Sequence, residues 1–294
     1  MPAASVKPTE IVSGLASVAD RYDTILCDVW GVLHNGISAF PEAGDALARF
    51  REAGGTVVLI TNAPRPHGIV QAMLEGLNAR TDAWDAIVTS GDVTRGEIAD
   101  RTGRPAFHLG PERDLPVFSG LDVSLTTPEE ADYVVCTGLF DDNTETPEDY
   151  ATLLDKLRAR ELTMICANPD LVVERGSELL YCAGALADAY ERRGGEAVYA
   201  GKPHGPIYER AIATAATIRS GQGTEPRKIL AVGDAIRTDI AGGARAGLDT
   251  LFVARGIHAG ETLDAAGRIN RDHLPGWVKQ QAYAPTMAIE RLAW

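Results

Sequence analysis

Short apolar runs that stop at a polar residue recur along this chain, separated by stretches with helical spacing. Thr24-Ile25-Leu26-Cys27 ends in Asp28. Val57-Val58-Leu59-Ile60 ends in Thr61-Asn62, and Ala86-Ile87-Val88-Thr89 is followed by Ser90. Uninterrupted runs this short are the pattern of strands buried on both faces. Between them, Pro41 to Gly54 carries Ala46, Leu47 and Phe50 on one helical face and stops at Gly54-Gly55. Gly68 to Ala79 predicts a second helix, and the amphipathic piece Ile11 to Ala19 predicts a leading one. The resulting β-α-β-α-β order calls for a parallel sheet with right-handed crossovers. In such sheets ligands bind beyond the carboxyl ends of the strands, where Asp28, Thr61 and Ser90 fall.

From 91 to 197 the pattern belongs to a second α/β unit. Its predicted strands are Ala106 to Leu109, Tyr133 to Thr137 and Thr163 to Ala167, with helices over 147–160 and 178–193. That length is enough for a domain of its own. The first pattern then resumes: a helix from Pro206 to Arg219, a strand Ile229 to Val232 ending in Gly233-Asp234, a helix from Thr238 to Ala246 and a strand from Thr250 to Val253. The expected organisation is a core in two parts, 1–90 and 198–294, with the unit 91–197 inserted between them. The Gly/Pro-punctuated tail after Ala265 reads as cover for a sheet edge.

Composition narrows the function. The chain of 294 residues carries 41 acidic against 28 basic side chains, a formal net charge of −13, and no long basic run. A nucleic-acid partner is therefore not expected, because phosphate backbones are met by a positive stripe. An anionic substrate would need a local cation, a metal or helix N-termini. Cys27, Cys136, Cys166 and Cys182 each lie in apolar stretches without metal-ligand spacing, so buried, reduced thiols are expected. With no signal-like N-terminus and no apolar run near the ~20 residues of a membrane span, the expectation is a cytoplasmic protein without a membrane partner. Oligomeric state stays open, a homodimer being among the forms allowed.

Four polar clusters fall at strand ends or helix starts: Asp28-Val29-Trp30-Gly31, Thr61-Asn62, Gly201-Lys202-Pro203, and Gly233-Asp234 followed by Asp239. Each has a plain structural reading as a cap, turn or surface residue. The ordered set, together with Val232 to Ile240 and Asn168-Pro169-Asp170, resembles the haloacid dehalogenase (HAD) superfamily, specifically its NagD-like subclass IIA, over roughly residues 20–260. The resemblance implies an α/β Rossmann-like parallel-sheet core with a large inserted α/β cap. It also implies a Mg²⁺-dependent phosphatase acting on a small phosphorylated metabolite, a sugar phosphate or a nucleotide. Asp28 would be the nucleophile, with Thr61 and Lys202 as its catalytic partners. The metal set would be Asp28, the backbone carbonyl of Trp30, Asp234 and Asp239. Thr61, Asn62 and Lys202 would bind the phosphoryl group, and Asn168 and Asp170 of the cap the rest of the substrate.

The chemistry is readable beside the resemblance. A carboxylate can attack phosphorus and so divide one difficult step into two. A hard divalent cation offsets its repulsion from a phosphate dianion, while Thr61, Asn62 and Lys202 supply donors and charge. One residue departs from the pattern. Most of the superfamily's phosphatases carry a second Asp two positions after the nucleophile, as general acid and base; here Trp30 stands there, and an indole neither donates nor accepts a catalytic proton at neutral pH. His34 is the nearby titratable side chain on the loop, with a structural role as its plain alternative. Two other functions stay open: a catalytically weakened protein that binds a phosphorylated ligand or partner, and a metal-free carbon–halide hydrolase.

Overall fold

The computed structural model describes residues 8–175, 178–223 and 226–294. Its strands in chain order are β1 (Glu10–Ile11), β2 (Thr24–Cys27), β3 (Thr56–Thr61), β4 (Ala86–Thr89), β5 (Ala106–Leu109), β6 (Tyr133–Cys136), β7 (Met164–Cys166), β8 (Val172–Arg175), β9 (Glu178–Tyr181), β10 (Ala197–Tyr199), β11 (Ile229–Gly233), β12 (Asp249–Val253) and β13 (Met287–Ile289). Its α-helices are α1 (Pro41–Glu52), α2 (His67–Gly76), α3 (Ser90–Ala99), α4 (Ala151–Ala159), α5 (Ala183–Glu191), α6 (Gly205–Gly221), α7 (Ala241–Arg245), α8 (Ala259–Thr262) and α9 (Leu274–Lys279). Over their described residues these form two compact units. One comprises Met1–Ile60, Met73–Ile87 and Tyr208–Trp294; the other comprises Thr61–Ala72 and Val88–Ile207.

A seven-stranded sheet, ordered β1-β13-β12-β11-β2-β3-β4, organises the first unit. Among its paired strands, β2 lies parallel between β11 and β3, with Cys27 opposite Val232 and Leu59. All four residues of β2 and all six of β3 are buried, which is why these strands read as continuous apolar runs rather than alternating ones. The tail is part of the sheet. β13 sits between β12 and β1, pairing Met287 with both Leu251 and Glu10. Trp277 and Val278 of α9 pack with Ile236, Ile240, Phe252 and Ala288.

This pairing also overturns the leading helix predicted over Ile11 to Ala19. Ile11 extends as an edge strand against Ala288. Gly14 then passes so close to the chain's last residue that a Cβ would lie 2.7 Å from the Trp294 carbonyl oxygen. Only short 3₁₀ turns, Leu15–Ser17 and Ala19–Arg21, follow.

The second unit has a four-stranded parallel sheet, β10-β7-β6-β5, and a β8–β9 hairpin. Strand alternation divides its core in two. Val134, Cys136, Met164 and Cys166 face Leu154, Leu157, Leu186 and Tyr190. Tyr133, Val135 and Ile165 face Ile98, Val117 and Phe118. The predicted helix over 178–193 is corrected at its start: Glu178–Tyr181 pair antiparallel with Val172–Arg175, Leu180 turning inward. The helix begins only at Ala183, where Gly184 lets the backbone approach the carbonyls of Pro169 and Asp170. At the head of α3, Thr89 and Asp92 form a reciprocal capping box.

None of the four cysteines forms a disulfide, and all are buried. Burial pushes the Cys136 thiol up to about 12, and those of Cys166 and Cys182 well above the ordinary range. A thiol this far from ionising is a poor nucleophile. At about pH 8, native protein is expected to react with a chromophoric thiol reagent no faster than it unfolds. The urea-unfolded chain should titrate at once, since exposed cysteines return to pKa ~8.5. Rapid labelling of any of the three in the native protein would show that the packing is looser than described.

Candidate active site

Asp28 follows β2 and Asp234 follows β11, so parallel pairing puts them at neighbouring strand ends. The Asp28 N–H continues the ladder, donating to the Val232 carbonyl at 2.8 Å. Asp239 reaches the same place from a π-helical turn, Ile236–Ile240, a local widening of the helix often found at functional sites. One carboxylate oxygen from each of Asp28, Asp234 and Asp239 lies within 4.8 Å of the others, and the three residues are only 6%, 6% and 3% exposed. A buried, all-oxygen donor set of this kind fits a hard divalent cation such as Mg²⁺.

Glycines and main-chain N–H groups crowd these carboxylates. A Cβ on Gly31 would lie 2.2 Å from Asp234 Oδ2, and one on Gly256 would lie 2.0 Å from it; a Cβ on Gly233 would lie 2.1 Å from the Asp239 carboxyl carbon. The Ile257 N–H donates to Asp234 Oδ2 at 2.8 Å, and the Ala235 N–H donates to Asp239 Oδ2 at 3.0 Å. Tyr208 Oη donates to the Asp239 carbonyl at 3.2 Å and steadies the turn from behind. Gly256 and Ile257 escaped the sequence reading. The signal was there: Gly256 follows the end of β12, the parallel neighbour of the strand that delivers Asp234.

Trp30 leaves the loop with its ring edge-on to His34, centroids 4.9 Å apart, and above Gly36, where a Cβ would meet the indole at 2.7 Å. His34 is fully buried, and its Nδ1 accepts the Gly36 N–H at 2.8 Å. Desolvation lowers its pKa to about 4. It is therefore a neutral imidazole that organises the loop, which matches its plain structural reading rather than that of a replacement acid.

The remaining predicted residues gather in the second unit. Thr61 ends β3 and is 6% exposed. Its hydroxyl oxygen accepts the Ala63 N–H at 3.3 Å, so its own proton can be donated elsewhere. Lys202 is 2% exposed and Asn62 4%. Asn62 Oδ1 accepts the Lys202 N–H at 2.7 Å, while its Nδ2 donates to the Lys202 carbonyl at 3.1 Å and to Asp170 Oδ1 at 2.9 Å. Asn168 turns the loop through its Oδ1, which accepts the Asp170 N–H at 3.1 Å. Gly201 closes the cluster: a Cβ there would lie 2.4 Å from Asn62 Oδ1 and 2.8 Å from Ser90 Oγ.

Comparison with known proteins shows the family. Residues 25–124 match the family model described as haloacid dehalogenase-like hydrolase, and residues 199–286 match a HAD-hydrolase-like model. A haloacid dehalogenase-like hydrolase of Brucella suis 1330 is similar in structure, with 46% identity, a TM-score of 0.84, and coverage of 96% of this chain and 100% of that one. The ribonucleotide monophosphatase NagD of Escherichia coli K12 is 26% identical over 245 residues, covering 82% of this chain and 91% of its own. A glycerol phosphate phosphatase of Mycobacterium tuberculosis in complex with magnesium aligns with 25% identity and a TM-score of 0.63, over 84% of this chain and 73% of that one. The chain belongs to the haloacid dehalogenase-like hydrolase superfamily, as a NagD-like member.

Because the Gly256 backbone touches the Asp234 carboxylate, Gly256→Ala is expected to displace a cation-binding oxygen without unfolding the protein. Groups that orient metal ligands are typically worth roughly 10–100-fold in affinity. Titration calorimetry with Mg²⁺ should show a loss of that order, with an unchanged far-ultraviolet spectrum. Equal affinity in the variant would remove Gly256 from the site.

Proposed function

We propose that this protein is a Mg²⁺-dependent phosphomonoester hydrolase acting on a small phosphorylated metabolite, a sugar phosphate or a nucleotide, through an aspartyl-phosphate on Asp28. The observation that carries the reading is the convergence of the three buried carboxylates. It is supported by the phosphatase names of the relatives, NagD and the glycerol phosphate phosphatase among them. Asp28, the Trp30 carbonyl, Asp234 and Asp239 would hold the cation. When bound, it supplies charge neutralisation between a carboxylate nucleophile and a phosphate dianion.

In this reading an Asp28 oxygen bonds to phosphorus as the ester P–O bond breaks, and the leaving alkoxide takes a proton from solvent. Water then attacks the acyl phosphate, releasing inorganic phosphate and returning the carboxylate. The Thr61 hydroxyl and the Asn62 N–H donate to phosphoryl oxygens, and Lys202 balances their charge. Asn168 and Asp170 contact the organic part of the substrate. Trp30 in the usual acid position leaves both proton transfers to water, and general acid–base help is worth roughly 10²–10⁴-fold. Turnover should therefore favour esters whose leaving groups need no protonation, aryl phosphates above alkyl phosphates. Trp30 also favours a second reading, a protein that retains a phosphorylated ligand and turns it over slowly.

Among the described residues no helix is long and apolar enough to cross a membrane. A panel of phosphomonoesters should release phosphate with Mg²⁺, and Asp28→Asn should lower kcat at least 10³-fold, as expected for a removed nucleophile. Tight binding without turnover, unchanged by Asp28→Asn, would replace this reading with the ligand-binding one. Halide release from 2-haloacids without metal would replace it with carbon–halide hydrolysis.

Trp30→Asp is expected to raise kcat for alkyl phosphates by about ten-fold or more, within the general acid–base range, and to change aryl phosphate turnover less. Equal rates for both substrate types in parent and variant would show that the absent carboxyl is not what limits turnover.

A further inference from the structure

The Asn62 side chain is fully committed within the protein. In the proposed function Asn62 serves the phosphate through its main-chain N–H. Its carboxamide closes a ring with the Lys202 main chain: Oδ1 accepts the Lys202 N–H, and Nδ2 donates to the Lys202 carbonyl. The same Nδ2 donates to Asp170 Oδ1. A primary amide has two N–H bonds and two acceptor lone pairs, so one side chain can satisfy all three contacts, as no other residue of this size can. Asp lacks the donors, and Gln is a methylene too long for the ring.

The surroundings leave this amide little freedom. Gly201 admits no Cβ beside Asn62 Oδ1. Gly184 packs under the carbonyls of Pro169 and Asp170, and Asn168 fixes the Asp170 N–H. Asn62 itself is 4% exposed. Buried amide networks of this kind are rigid when every member is bonded, and costly when one is not.

We infer that Asn62 is a positioning residue that couples Asp170, on the loop Asn168-Pro169-Asp170, to the main chain that carries Lys202. A substrate that displaces Asp170 would thereby shift the lysine, so recognition of the organic group and binding of the phosphoryl group would respond together. This builds on the proposed phosphatase reading for the role of Lys202; the geometric part does not.

Two variants separate the contacts. Asn62→Ala removes all of them. Asn62→Asp retains an oxygen for the Lys202 N–H but turns the Asp170 contact into two facing carboxylates. Hydrogen exchange read at the Lys202 amide should accelerate by about tenfold or more in Asn62→Ala, as for loss of a buried hydrogen bond, and stay near the parent rate in Asn62→Asp. With p-nitrophenyl phosphate as probe, Asn62→Asp should lower kcat/KM by about tenfold or more. Adding Asp170→Asn should restore it toward the level of Asp170→Asn alone, because the swapped pair can bond again. An unchanged Lys202 exchange rate in Asn62→Ala overturns the inference, as does a double variant no better than Asn62→Asp. If the parent releases no phosphate from any ester, the phosphatase reading falls, and the exchange result alone decides for or against the brace.

Discussion

Three carboxylates whose oxygens lie within 4.8 Å of one another, all nearly sealed from water, are the constraint around which the first unit is built. Carboxylates held that close repel one another, and burial reduces the screening by water. Oriented main-chain dipoles help to meet this. The Ile257 and Ala235 N–H groups point at Asp234 and Asp239, and Gly31, Gly233 and Gly256 let the main chain come close. The oxygen-only donor set then fits a hard cation, which is also what an acidic protein with a net charge of −13 needs to receive a phosphate.

The second unit handles its polar groups differently. It encloses a lysine and an asparagine almost completely and lets one amide serve several partners. Main chain from separate strand ends comes close to the carboxylate trio, so the space around it is set by sheet packing. The Asn62 cluster is held by side chain, so its tolerance is set by one residue type. These are two routes to preorganisation, the condition for electrostatic stabilisation of developing charge.

Trp30 gives the site its individual character. Its ring lies over Gly36 and against a buried, neutral His34, so the loop after Asp28 is closed by aromatic packing where a phosphatase would place a second carboxyl. The surroundings of Asp28 are thereby made more apolar. Under the proposed phosphatase reading, proton transfer is then left to solvent, which favours substrates whose leaving groups depart unaided.

The chain order of motifs and the burial of β2, β3 and β11 were legible in the sequence because each signal is local: a short apolar run, a polar residue at its end, a glycine at a stop. Asp28 and Asp234 could be marked as strand-end residues by the same logic. Other elements were illegible because they depend on distant partners. Glu10-Ile11 is a strand only because Met287 and Ala288 pair with it, and Glu178–Tyr181 is a strand only because Val172–Arg175 lies opposite. The role of Gly256 depends on where Asp234 is delivered, and that of the Asn62 amide on a lysine 140 positions further along. By itself, then, the sequence determined which polar residues end the strands, since periodicity and polarity are properties of neighbouring positions. Only the tertiary structure decided what holds them, since hydrogen bonds and close backbone approaches form between segments that chain order leaves far apart.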